Sequence, residues 1–188
     1  MLFADIRGSM AMAEHLEPAA YASLLNRFYR VASDVLVRHD AIVDKLIGDE
    51  VMALFIPGIC GAGYKQLAAE AAVALMDAVG YREGTKVWMP LGAAVTSGLS
   101  YVGNVGGEGT MDFTALGDTV NAAARLASVA VAGEILLGEG VFAAVAENFP
   151  AAESRTIHLR GRESEMSVRV LRRPGAIESS SPGQVLYD

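Results

Sequence analysis

The 188-residue sequence has little cysteine and no long apolar run. Cys60 is its single thiol, which excludes an internal disulfide framework and fits a reducing compartment. A membrane-spanning helix needs about 20 consecutive apolar residues, and prolines and glycines interrupt the most apolar region at 57–63. No charged segment followed by an apolar one opens the chain, as a secretory signal would require. These absences predict a soluble, cytoplasmic protein.

Basic and aromatic residues are also scarce. The chain carries 15 Lys and Arg against 22 Asp and Glu, for a net charge of −7, and has no basic block. A nucleic-acid backbone is therefore excluded as a partner. With 7% aromatic residues, the chain also lacks the stacking platform of an RNA-binding sheet. Its 52% hydrophobic content exceeds the usual range, which predicts that a second subunit covers part of the surface.

The order of predicted elements indicates the fold class. Residues 1–6 form a strand, a long helix opens at Pro18, residues 42–55 form a hairpin, and residues 65–79 form an alanine-rich helix. This succession predicts an α+β fold with a ferredoxin-like split βαβ core, an antiparallel-rich sheet and helices over one face. A strand that begins at residue 1 indicates a fragment of a longer protein.

The second half is predicted to extend that core. Residues 91–96 and 101–105 are expected to pair as another hairpin, and a helix follows Gly117. A strand, a helix over 141–148 and two final strands predict a C-terminal β-α-β-β extension. We expect one domain over 1–172 and a disordered tail over 173–188, where serines and a proline cluster.

Two acidic residues are expected to meet at one edge of the sheet. Gly48-Asp49 forms the corner of the 42–55 hairpin, and Asp5 ends the first strand. Asp49 also fits an ordinary surface turn. If the strands are neighbours, however, two carboxylates about 4 Å apart repel by about 4 kcal/mol at an effective dielectric constant of about 20. A cation relieves that repulsion, and oxygen-only ligands favour Mg²⁺ or Mn²⁺. Two such ions serve phosphoryl and nucleotidyl transfer.

The helix after Gly117 carries a polar stripe. Asn121 and Arg125 are four residues apart and share a face, which Ser128 continues. A guanidinium suits a phosphate that gains charge in the transition state. A helix arginine paired with a surface acid is the alternative.

Three segments resemble the signatures of class III nucleotidyl cyclases, in that family's order. They are FADIRG at 3–8, KLIGD at 45–49 and FTALGDTVNAAAR at 113–125. The resemblance covers residues 1–172. It implies a homodimer in which the metal-bearing edge of one subunit faces the base-binding and Asn/Arg region of its partner.

The resemblance also implies residue roles. Asp5 and Asp49, with the backbone carbonyl of Ile6, would hold two Mg²⁺ or Mn²⁺ ions. Asn121 would orient the ribose, and Arg125 would stabilise the α-phosphate during attack by the 3′-hydroxyl. The products would be a cyclic 3′,5′-monophosphate and pyrophosphate.

Base choice can be argued from hydrogen-bonding chemistry. Lys45, at the base-specifying position, only donates hydrogen bonds, which suits adenine N1 and opposes guanine N1–H. Thr114 matches the second base-specifying position, but its hydroxyl both donates and accepts. ATP is therefore the expected substrate. Thr114 also resembles the bacterial subset that responds to bicarbonate, and Arg162 falls where the family places a lysine on the terminal phosphates.

The sequence also departs from the family pattern. Ser9 replaces a frequent aromatic residue, Met10 a frequent threonine, and Leu99 an arginine that binds phosphate in some relatives. These changes bear on rate more than on reaction type. The alternatives are a guanylyl or unselective cyclase and a catalytically silent domain that senses nucleotide or mediates dimerisation.

Overall fold

A computed structural model describes residues 1–107, 109–158 and 165–175. Within those residues the helices are α1 (Ser9–His15), α2 (Pro18–Arg38), α3 (Pro57–Cys60), α4 (Tyr64–Ala78), α5 (Asp118–Val129) and α6 (Glu139–Phe142). The strands are β1 (Leu2–Ile6), β2 (Ile42–Ile47), β3 (Glu50–Leu54), β4 (Leu91–Val95), β5 (Tyr101–Gly107), β6 (Thr110–Leu116), β7 (Glu134–Gly138), β8 (Glu153–Ile157) and β9 (Met166–Arg172). Most of the predicted tail, 176–188, lies outside the described residues.

The main sheet has seven strands in the order β2-β3-β1-β4-β7-β9-β8. Its first four strands pair antiparallel, with β1 between β3 and β4. This is the ferredoxin-like core that the element order predicts. β7 joins β4 in parallel, and β9 and β8 continue antiparallel, so the C-terminal β-α-β-β extension is also confirmed.

Both faces of the sheet are buried. Alternation along β1 sends Leu2, Ala4 and Ile6 into one core and Phe3 into the other. The first core includes α2 and α4, whose apolar stripes follow the helical period. The second includes the apolar stripe of α5, made largely of alanines. The expectation of helices over one face is therefore wrong: α5 covers the opposite face.

The predicted hairpin of 91–96 with 101–105 is also wrong. β4 pairs with β1 and β7, whereas β5 pairs with β6 in a separate two-stranded sheet. All five residues of β4 are buried, because its small side chains let α5 pack closely. A Cβ at Gly92 would lie 2.6 Å from the carbonyl oxygen of Ala130. Such a strand belongs in the centre of a sheet.

The predicted helix over 141–148 is displaced. It begins at Glu139 and ends at Phe142, and turns follow it. In the part of the chain that the structure describes, every helix is too short or too polar to cross a bilayer.

Candidate active site

The two predicted metal-binding acids meet where β1 ends beside the hairpin of β2 and β3. Asp5 lies opposite Glu50 in the β1–β3 ladder, and Asp49 occupies the corner before Glu50. Gly48 has a φ of 59°, a conformation that glycine adopts without steric cost. The amide of Ile6 donates a 2.9 Å hydrogen bond to the carbonyl of Asp49. A main-chain bond therefore fixes the hairpin corner against the end of β1.

Negative charge accumulates at this edge. Burial and the charges of Asp5 and Asp49 together raise the pKa of Glu50 to about 7. Burial also raises the pKa of Asp5, with a smaller contribution from Asp49, although the Arg7 guanidinium opposes it. The edge therefore disfavours full ionisation of its carboxyl groups, which is the condition that a bound cation relieves.

Two neighbours engage these acids, and sequence reasoning assigned a role to neither. Arg7 forms an ion pair with Asp5 and donates a 2.6 Å hydrogen bond to the carbonyl of Ser128 at the end of α5. The Ser9 hydroxyl donates to the carboxylate of Asp49. Ser9 is thus more than a departure from a family pattern, because it orients one of the acids.

The donor set fits a hard divalent cation. Asp5 and Asp49 offer carboxylate oxygens, the ligands that Mg²⁺ and Mn²⁺ prefer, and Arg7 supplies one positive charge beside the three carboxyl groups of Asp5, Asp49 and Glu50. Within residues 1–107, 109–158 and 165–175, no group of three or more His, Cys, Asp or Glu side chains is arranged around a metal position. A cation here would therefore draw further ligands from backbone carbonyls, substrate or water.

A second cluster forms on β2 and β6 around Lys45 and Thr114. The Lys45 ammonium bonds the carboxylate of Asp112 and lies 3.8 Å from Oδ1 of Asp44. The Thr114 hydroxyl donates a 2.7 Å hydrogen bond to Oδ2 of Asp44. The hydrogen bond that the Lys45 ammonium donates to Asp112 raises the pKa of Lys45, and the charge of Asp44 adds to the effect. The two predicted base-reading residues are therefore brought together by an acid that sequence reasoning missed.

A β-bulge makes that cluster possible. Successive side chains of a regular strand point to opposite faces, so Asp44 and Lys45 would separate. The β2–β3 register shifts between Val43 and Lys45, and a bulge re-aims side chains. As a result both residues contact β6, at positions 112 and 114 on one of its faces. In the sequence, the position of Asp44 beside Lys45 was the only sign that it could belong to this cluster.

The α5 helix presents Asn121 and Arg125 to solvent. Among the described residues, neither side chain makes a hydrogen bond or an ion pair, and the Ser128 hydroxyl bonds the backbone carbonyl of Arg125. The alternative of an arginine held by a surface acid therefore finds no support in the described part of the chain. Both side chains are available to a ligand or to another subunit.

The predicted residues thus fall into three groups: an acidic edge, a base-reading cluster and an exposed polar stripe. Arg7 connects the first and the third through the carbonyl of Ser128. Arg162 lies outside the described residues.

Comparison with known proteins identifies a family and similar structures. Residues 1–172 match the family of the Adenylate and Guanylate cyclase catalytic domain. The uncharacterized proteins Rv1319c and Rv1318c of Mycobacterium tuberculosis are each 30% identical to this chain, over 176 and 181 residues. These matches cover 90% and 93% of this chain but 32% of each relative. The chain therefore spans about a third of the length of these relatives.

Solved structures share the fold. The guanylyl cyclase Cya2 is similar with a TM-score of 0.79 at 23% identity, over 95% of this chain and 92% of that one. The adenylyl cyclase CyaB from P. aeruginosa is similar with a TM-score of 0.76 at 26% identity, over 95% and 93%. One neighbour is a guanylyl and the other an adenylyl cyclase, so base preference has to be argued from side chains.

Proposed function

The chain belongs to the family of adenylate and guanylate cyclase catalytic domains, and from this premise we propose that it is an adenylyl cyclase. It would convert ATP to 3′,5′-cyclic AMP and pyrophosphate. The observation that carries the proposal is the acidic edge, where Asp5 and Asp49 are joined through the backbone and share an excess of negative charge.

Asp5 and Asp49, with the carbonyl of Ile6, are proposed to hold two divalent cations beside the triphosphate. When bound, Mg²⁺ or Mn²⁺ would lower the pKa of the ribose 3′-hydroxyl and neutralise charge on the departing pyrophosphate. Ser9 keeps the Asp49 carboxylate oriented by hydrogen bonding. When a cation binds, the cation and the Arg7 guanidinium would both contact the Asp5 carboxylate.

The polar stripe of α5 would act on the reacting groups. Arg125 is proposed to donate to the α-phosphate as its charge grows, and Asn121 to hold the ribose so that its 3′-oxygen lies in line with the leaving group. Their freedom from other partners within the described residues supports this assignment. Arg162 is proposed to contact the terminal phosphates.

Adenine is the proposed base. The Lys45 ammonium can only donate, so it complements the N1 acceptor of adenine and would oppose the N1–H of guanine. Thr114 is proposed to accept a hydrogen bond from the 6-amino group.

Two further proposals concern the setting of the reaction. We propose that it takes place in the cytoplasm. Because Thr114 resembles the corresponding residue of bicarbonate-responsive cyclases, we also propose bicarbonate as a candidate activator.

A homodimer is proposed to complete the site. Large apolar side chains lie exposed on and beside the β5–β6 sheet, namely Leu99, Tyr101, Val102, Met111, Phe113 and Leu116. A second copy would cover them and bring its Asn121 and Arg125 to the acidic edge of the first copy. Symmetry then creates two composite sites.

The direct test is incubation of the purified chain with ATP and Mn²⁺, followed by chromatography for cyclic AMP and pyrophosphate. GTP is compared at equal concentration, and Asp49→Ala is the inactive control. Formation of both products from ATP supports the proposal. Turnover of neither nucleotide by a folded dimer would reject it.

Mixing variants tests the composite site. Asp5→Ala and Arg125→Ala chains are each expected to be inactive. Their heterodimer contains one intact site, so mixing should restore about a quarter of the activity when chains exchange at random, since half of the dimers are mixed and each has one of two sites. Absence of rescue, with heterodimers demonstrated by native mass spectrometry, would mean that each chain builds its site alone.

A further inference from the structure

Asp44 is a buried acid that the proposed mechanism does not use. Its side chain is 1% exposed, and it lies between the two residues that are proposed to read the base. Oδ2 accepts from Thr114 at 2.7 Å. Oδ1 is buried, has no hydrogen-bond partner within the described residues, and lies 3.8 Å from the Lys45 ammonium. Burying a carboxylate is costly, so its presence at this position calls for an explanation.

The hydrogen-bonding capacity of Thr114 supplies one. A hydroxyl has a single proton and two lone pairs, whereas an ionised carboxylate only accepts. The bond between them therefore uses the proton of Thr114, and Thr114 is left with lone pairs alone. Since Thr114 is itself only 6% exposed, rotation of the hydroxyl toward a ligand would leave the buried Asp44 carboxylate without its hydrogen-bond donor, which is unfavourable.

We propose that Asp44 is a specificity-determining positioning residue that converts the Thr114 hydroxyl from a two-way group into a hydrogen-bond acceptor. Next to a lysine that only donates, the pair then presents one donor and one acceptor in fixed order. Adenine offers the complementary N1 acceptor and 6-amino donor, whereas guanine offers N1–H and O6. The inference rests on the proposed cyclase function and specifies how that site rejects GTP.

The test measures kcat/KM for ATP and for GTP in Mn²⁺ and follows their ratio. Asp44→Asn can donate to the Thr114 oxygen, which frees the hydroxyl proton for guanine O6. We expect the ATP/GTP ratio to fall about tenfold, the value of one hydrogen bond. An unchanged ratio in the folded variant would overturn the inference while leaving cyclase activity in place.

Asp112→Asn is the matched control for Lys45. Asp44 also attracts the Lys45 ammonium, so a loss of selectivity could arise through the lysine. Asp112 pairs with Lys45 and has no hydrogen bond to Thr114 in the structure. We expect the Asp44→Asn change to exceed that of Asp112→Asn. Equal changes would assign the effect to Lys45 and overturn the role of Thr114.

A double-mutant cycle and a rescue separate specificity from folding. In a Thr114→Val background the Asp44→Asn substitution should no longer alter the ratio, because no hydroxyl remains to orient. The exchange Asp44→Asn with Thr114→Asp keeps one carboxylate in the pair and puts an acceptor at the base. This exchange should restore ATP preference, whether or not Asp44→Asn alone is stable. Failure of both results would overturn the inference.

A binding measurement distinguishes the two proposals. Calorimetry with 3′-deoxy-ATP and 3′-deoxy-GTP needs no turnover, because neither ligand has the attacking hydroxyl. A preference for the adenine ligand that Asp44→Asn reduces supports the inference even if wild-type protein makes no product. ATP turnover without any such reduction would reject the inference and retain the function. Binding of neither nucleotide would reject both.

Discussion

Two acidic regions of this molecule differ in how much positive charge surrounds them. Glu134, at the start of β7, is fully buried and bound by two arginines. Arg155 makes a bidentate pair at 2.8 and 3.0 Å, and Arg172 approaches at 2.6 Å. The amide of Val131 adds a 3.2 Å hydrogen bond. Burial alone would raise the pKa of Glu134, but these partners outweigh it and lower the pKa.

The acidic edge has the reverse balance. Asp5, Asp49 and Glu50 lie together with Arg7 as their cationic neighbour, and the pKa values of Asp5 and Glu50 are raised. A charge that serves stability is surrounded by opposite charge, as around Glu134. In our proposal the acidic edge serves chemistry and is left short of positive charge, because the balancing cation would arrive with the ligand.

Substitution of an acid at the acidic edge tests this difference most strongly. Asp49→Asn should lower cyclase activity by at least about 10³-fold, or about 4 kcal/mol of transition-state stabilisation. The fold should persist, because the carboxylate is not needed for the main-chain bond to Ile6. Product assays with circular dichroism check both expectations. Activity within tenfold of wild type would remove Asp49 from the site.

Removing the carboxylate of Glu134 should have the opposite result, a loss of stability without a loss of activity. Glu134→Gln leaves two arginines facing a neutral group and should cost about 3 kcal/mol in the free energy of unfolding, as when one partner of a buried ion pair is lost. Urea denaturation measures it, and activity per folded molecule should be unchanged. Because the folded pKa of Glu134 is lowered below 4.5, the wild-type advantage is present above pH 4.5 and is lost as pH falls through the folded pKa.

The effect of divalent cations on thermal stability should distinguish the acidic edge from the cluster around Glu134. Mn²⁺ at about 100 times its dissociation constant stabilises a one-site protein by about 2.7 kcal/mol. We expect Mn²⁺ to raise the melting temperature of wild type and of Glu134→Gln, but not that of an Asp5→Asn, Asp49→Asn double variant. An equal rise in the double variant would place the cation elsewhere.

The smallest expected effect concerns Glu50. In metal-free protein its folded pKa of about 7 exceeds the ordinary 4.5, so its contribution to stability is complete below pH 4.5 and lost as pH rises through 7. Glu50→Gln should therefore be more stable than wild type at pH 8. We expect at most about 1 kcal/mol, since the half-buried side chain is screened by solvent. Denaturation at pH 4 and pH 8 checks the sign, and a destabilised variant at pH 8 would contradict it.

Local pattern predicted the parts of the molecule that depend on neighbours in sequence. The Gly48-Asp49 corner, the apolar stripe of α2 and the split βαβ core follow from turn chemistry and periodicity. The separate pairing of β5 with β6 did not follow. Whether β4 joins β5 or β1 depends on burial against α5, which no local pattern records.

The candidate site divides in the same way. Asp5, Asp49, Lys45 and Thr114 stand within recognisable segments, so each could be nominated from the sequence. Asp44 could not, because strict alternation turns it away from Lys45 and only the bulge in the β2–β3 ladder reverses that. The contact of Arg7 with Ser128 spans 121 positions and is likewise a product of tertiary structure.

The hydrogen bond between the amide of Ile6 and the carbonyl of Asp49 has a practical consequence. Its donor is the amide of Ile6 and its acceptor is the peptide carbonyl of residue 49, so changing the side chains at positions 5 and 49 removes neither hydrogen-bonding atom. Positions 5 and 49 can therefore carry other metal-binding side chains, such as the thiols of cysteine for softer ions, while the backbone around them stays unchanged. For the proposed cation site, we therefore expect metal preference to change with substitutions at these two positions alone.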